Sequence, residues 1–421
     1  MMRRFSCRIV MILICAWPAG LFAQNYAIKN ARIVTVTGPE IPNGNILIQN
    51  GKITAVGANI KIPSNATVID AKGLTAYPGL IDPHTGMGLQ EISSVAATQD
   101  VTELGDVNPH LKASSAINPL SEHVAITRAN GITTVGSLPK GGLFAGQGAV
   151  INLDGWVLKD MLVKDSALTV INYPTDINLP ANATERQRRD AEDARKKKID
   201  LLRQTLKDAQ AFAKILEARP GDAGTSPALR ALVPVVKGAE PALFNVETEN
   251  EIKGALEIAD EFKLKAVLSG CAEAWKVVDL LKTKNVPVIL GAVLDSPRDD
   301  SYPYDANYAT AAALVKAGVK IAFTSDSTSS ARDLPWHAGM SVAYGLPKDE
   351  ALKAVTINAA QILGIDALMG SISEGKVANI VLTDGDPLEH ATKVKTLFIA
   401  GKLVELKSKH TDLYEKFVKR P

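Results

Sequence analysis

The 421 residues carry 47 lysines and arginines against 45 aspartates and glutamates, with 46% of positions hydrophobic and 22% charged. That near balance excludes a strongly basic binder of nucleic acid or anionic membrane, and the length is ample for one large core or a barrel with a satellite. Three cysteines are too few for a disulfide scaffold.

The chain opens on Met-Met-Arg-Arg, runs apolar from Ile9 to Leu21, and places the small Ala23 before Gln24. This three-part pattern predicts a secretory signal peptide over 1–23, its apolar run being too short to span a membrane. Cleavage after Ala23 takes Arg3, Arg4 and Arg8 with no acid, leaving 44 bases against 45 acids. Cys7 and Cys15 leave too, so Cys271 remains alone. The expectation is a periplasmic or secreted protein with no membrane attachment after cleavage, no nucleic-acid partner and no internal disulfide.

From 24 to 76 the runs ARIVTVTG, NILIQNGKITAVG and ATVIDAKGLTA alternate with a period of two and break at Asn43-Gly44 and Asn50-Gly51. Matching material returns over 367–421, in GSISEGKVANIVLTDGDPL and VKTLFIAGKLVE. The two sets predict one small β-sandwich domain formed from both ends of the chain. Between them, over 77–366, apolar strands alternate with helical segments. Strands ending near His84, Val135, Leu153, Ile171, Val246, Leu268, Leu290 and Phe323 predict an α/β fold, a parallel (β/α)8 TIM barrel. A doubly wound sheet would want a glycine fingerprint after its first strand, and none is present. The glycines of SLPKGGLFAGQGAV read instead as a loop whose backbone passes close to the barrel mouth.

A charged insertion occupies 183–219. Thr184 and Gln187 spell a capping box, and Ile199, Leu202, Leu206, Ala209, Ala213 and Leu216 follow at three-four spacing. The segment predicts one long helix with an apolar stripe and a solvated charged start; a lid or dimer contact is the other reading.

The first barrel strand, in YPGLIDPHTGMGLQE, ends at His84, the place where barrel strands present ligands and catalytic groups. With GLPKDEALKAVTINAAQILGI and GSISEGKVANIVLTDGDPLE, it resembles the amidohydrolase superfamily, and most closely its imidazolonepropionase-like and prolidase-like secreted members. The resemblance implies hydrolysis of a carbon–nitrogen bond by metal-activated water. It implies metal ligands after strands one, four, five, six and eight. His84 matches the first histidine and Asp326 the aspartate after strand eight, which in the family binds metal and shuttles the proton. Gly86, Asn245 and Gly270 stand where three other histidines belong, and no lysine or acid stands near Asn172. Glu247, two residues beyond Asn245, shares its side of the strand and is a further oxygen donor. The implied site is degenerate: one divalent metal (Zn, Mn or Fe) on His84, Glu247 and Asp326, with Arg332 and His337 as substrate contacts. Each residue also has a structural reading: His84 as a hydrogen-bonded core group, Asp326 as a helix cap, Cys271 as a small buried side chain. The expected function is a hydrolase acting on a small-molecule amide, cyclic amide or dipeptide. The alternative is an inactive barrel that partners an intact paralogue. A homo-oligomer stays open.

Overall fold

The computed structural model describes residues 25–177, 179–180, 182–219, 226–291, 293–296 and 301–420. The segment read as a signal peptide, 1–23, lies outside them.

The alternating amino-terminal runs form β1 (Tyr26–Ile33), β2 (Ile41–Gln49), β3 (Lys52–Gly57), β4 (Thr67–Asp70) and β5 (Thr75–Pro78). Asn50 and Gly51 both take positive φ, 50° and 78°, as the tight hairpin between β2 and β3 requires. The barrel strands follow: β6 (Leu80–Thr85), β7 (Ile132–Ser137), β8 (Phe144–Asn152), β9 (Leu162–Asn172), β10 (Ala242–Val246), β11 (Ala266–Gly270), β12 (Val288–Leu290) and β13 (Ile321–Phe323). The chain then returns to its start with β14 (Ile380–Thr383), β15 (Val394–Ile399) and β16 (Lys402–Val404). β14 pairs antiparallel with β5, so both ends of the chain share one sheet in the order β16-β15-β14-β5-β1-β2-β3, with β4 beside β1. Its inner face buries Ile28, Ile46, Ile48, Ile380 and Phe398. Phe398 meets Tyr26 edge-on at 5.1 Å.

The eight barrel strands lie in chain order, but not all run parallel. β8 is antiparallel to both β7 and β9. The connection from β7 to β8 spans only 138–143, and a parallel return needs about a dozen residues or more. The glycine-rich stretch is therefore a hairpin at the barrel mouth. Gly136 of β7 passes so near β6 that a Cβ there would stand 2.1 Å from the Pro83 carbonyl oxygen. Gly136→Ala is expected to cost about 2 kcal/mol in overpacking strain, read as a lowered midpoint in thermal melting.

β6 and β13, the ends of this sheet, have no backbone ladder between them. The seam is closed by Asp82, fully buried on β6. Its Oδ2 accepts from the Ser325 backbone N–H at 3.1 Å and from the Ser325 hydroxyl at 2.5 Å. Its Oδ1 lies 2.7 Å from the Thr324 hydroxyl and 3.3 Å from the His84 N–H. Burial raises the Asp82 carboxyl to about 6, against the pull of these bonds.

The insertion forms the helix Glu185–Ala218, started by the Thr184–Gln187 capping box. Leu202, Leu206, Ala209 and Ala213 are buried, while most of its charged first turns are exposed. Arg195 is an exception. It pairs with Asp176 at 3.0 Å and donates to the Thr175 carbonyl at 3.1 Å, tying the helix to the loop that leaves β9. No helix among the described residues is long and apolar enough to cross a membrane.

Candidate active site

The carboxyl ends of the parallel strands converge on a cavity of about 270 Å³. His84, Asn172, Asn245, Glu247, Ser269 and Asp326 line it, together with Lys140 from the β7–β8 hairpin. The strand ends therefore bring His84, Glu247 and Asp326 to one place. A neighbouring cavity of about 350 Å³ shares Glu247, Gly270, Gly291 and Asp326 with the first, so the two adjoin along that edge.

His84 is 4% exposed. Its Nδ1 lies 2.7 Å from the Ser269 hydroxyl, and its buried Nε2 has no hydrogen-bond partner. Burial pushes the ring down to about 4; Asp326 pulls it up and Lys140 pushes it further down. At neutral pH it is an uncharged imidazole. Asp326 follows β13 in the left-handed region, φ 47°, which Asp and Asn tolerate better than most residues. Its N–H is held by the Thr324 hydroxyl at 3.0 Å, and its carboxylate faces the Lys140 ammonium at 3.5 Å. It caps no helix: the next turn begins at Ala331. Glu247 accepts from the Ala272 N–H at 3.3 Å.

A tight divalent site needs three or more donors within about 2.6 Å of the ion. Among the described residues no three His, Cys, Asp or Glu side chains form such a group. A side chain at Gly270 or Gly86 would press on its neighbours. A Cβ at Gly270 would stand 2.5 Å from Glu247 Oε1, and one at Gly86 would stand 2.9 Å from Thr328 Oγ1. The donor set does not fit a tightly held divalent metal.

Arg332 and His337 lie elsewhere. Arg332 pairs with Asp333 at 3.5 Å and its guanidinium meets His410 at 3.2 Å. His337 is buried in the helix Leu334–Ala343 and lines neither cavity. A position soon after strand eight placed both near the mouth in sequence, but the chain turns away from it into helix. Cys271 is 1% exposed and unpaired, the small core residue of its structural reading.

His337 supplies a pH prediction. Burial alone lowers it to about 4, so the folded protein holds it neutral while the unfolded chain takes up a proton below about 6.5. This contribution to stability is present above pH 6.5 and is lost as pH falls towards 4. Asp82, raised to about 6, works in the opposite direction over that window. His337→Gln is expected to remove about 2–3 kcal/mol of the stability lost between pH 7 and pH 4.5, read by urea unfolding at both pH values. An unchanged difference would refute this assignment.

Lys140 and Ser269 were missed in the sequence. Ser269 carries no signal, being one serine in a buried strand. Lys140 had one: it is the sole ionisable residue in SLPKGGLFAGQGAV.

The Amidohydrolase family profile matches residues 268–404. An amidohydrolase from Thermotoga maritima has a solved structure that superposes with a TM-score of 0.79, at 26% identity over 90% of this chain and 99% of that one. The imidazolonepropionase of Thermoplasma volcanium is 26% identical over 391 residues, 86% of this chain and 91% of its own. Amidohydrolase tasK of Hapsidospora irregularis is 22% identical over 382 residues, 82% of this chain but 38% of its own, so the chain spans well under half of that relative. The barrel with its end-built sheet, the cavity at the strand ends and these similarities agree: the chain carries an amidohydrolase domain over 268–404 and resembles amidohydrolases and imidazolonepropionase over most of its length.

Proposed function

We propose that the chain hydrolyses a carbon–nitrogen bond in a small molecule at the barrel mouth, with Asp326 as general base. The observation that carries this reading is the pairing of an exposed carboxylate with an ammonium on the rim of a cavity of about 270 Å³. Water attacks an amide carbonyl; Asp326 takes its proton and returns it to the leaving nitrogen. Lys140 lies where it can donate to the carbonyl oxygen as charge develops there. His84, uncharged and anchored by Ser269, shapes the cavity floor. The substrate class is an amide, a cyclic amide or a dipeptide small enough for the cavity. The chain acts as a periplasmic or secreted protein once 1–23 is removed, and its sandwich and barrel meet near 76–77 and 366–367.

One observation favours a second reading, a non-catalytic barrel that binds a small molecule or an intact paralogue. Among the described residues no group of three His, Cys, Asp or Glu side chains could hold a metal, so the residue that the family places on the metal lacks its partners. A panel of N-acyl amino acids, hydantoin-type rings and proline dipeptides separates the two. Amine or acid release from any of them supports hydrolysis. Ligand-induced thermal stabilisation with no product supports binding alone.

A further inference from the structure

We infer that Lys140 takes the electrostatic place of the metal, and that the positions from which ligands have been lost now hold the loop that delivers it. Two of those positions are Asn172, at the end of β9, and Asn245, on β10. Asn245 Nδ2 donates to Asn172 Oδ1 at 2.6 Å, and Asn172 Nδ2 donates to the Gly142 carbonyl at 2.8 Å and the Gly141 carbonyl at 3.3 Å. The two amides thus run as a chain from the barrel wall to the hairpin. Gly141 and Gly142 both take positive φ, 83° and 65°, and a Cβ on Gly142 would stand 2.8 Å from the Gly105 carbonyl. Only glycine allows that tight turn against the neighbouring segment. On its other side the Lys140 N–H donates to the Val101 carbonyl at 2.5 Å. The backbone of the lysine is therefore fixed from both directions, and the ammonium reaches Asp326 at 3.5 Å.

An ammonium beside this carboxylate does two things. It supplies one positive charge against a carbonyl or carboxylate oxygen of a ligand, and it repels a divalent cation from Asp326 and the nearby imidazole. The first part rests on the hydrolase reading; the exclusion of metal does not.

The test is calorimetric titration of the mature full-length protein with zinc chloride, comparing wild type, Lys140→Met and Lys140→Arg. Lys140 is 39% exposed, so the substitutions leave the fold intact, which circular dichroism checks. Wild type and Lys140→Arg are expected to take up less than a tenth of an equivalent. Lys140→Met is expected to bind zinc at least tenfold more tightly, and His84→Gln in that background to abolish the gain. Stoichiometric zinc on wild type with the affinity of Lys140→Met overturns the inference, and so does Lys140→Met that gains nothing. Neither readout depends on turnover, so an inactive protein that excludes zinc overturns the hydrolase reading alone.

Discussion

Asp82→Ala is expected to lower the unfolding free energy by roughly 4 kcal/mol, since it leaves two backbone donors unsatisfied at about 1–3 kcal/mol each. The donors are the Ser325 N–H and the His84 N–H, beside a seam with no ladder of its own, whereas the Ser325 and Thr324 hydroxyls can turn to the Ser327 and His84 carbonyls. Asp82→Asn keeps the volume and one acceptor oxygen but turns an NH2 towards a donor, so its cost is intermediate. The consequence reaches the site, because β6 carries His84 and the segment after β13 carries Asp326. Urea unfolding measures the loss. A cost for Asp82→Ala below 1 kcal/mol would show that the seam is held by something else.

Asp326→Asn is expected to lower kcat by roughly 10²–10⁴-fold, the range for removing a general base. Its stability should change little. Asn suits φ 47° as well as Asp does, and the half-exposed pair with Lys140 is worth at most about 1 kcal/mol. Steady-state kinetics and a melting curve on the same sample separate the two effects. An unchanged kcat would remove Asp326 from the proton path.

Much of the fold was legible because its signals are local. Strand ends expected at His84, Val246, Leu290 and Phe323 fall within a residue or so of those observed, since each is a short apolar run cut off by polar or turn residues. The direction of β8 was misread because an antiparallel and a parallel strand have the same composition. The length of 138–143 held the answer. The convergence of His84, Glu247 and Asp326 on one cavity followed from strand-end geometry and the resemblance. The Asn245–Asn172–hairpin chain did not, because side-chain amides joining residues far apart in sequence leave no periodic trace. Arg332 and His337 show the limit of placing residues by position alone: a few residues past a strand end, the chain has entered a helix and its side chains face other partners.

The proposed pair of Asp326 with Lys140 works without a divalent ion. Its most direct measurement is hydrolysis of whichever panel substrate the protein turns over, before and after exhaustive chelation. The same rate is expected in both, with no gain on adding zinc, manganese or iron. A rate that falls to background on chelation and returns with one of those metals would contradict it.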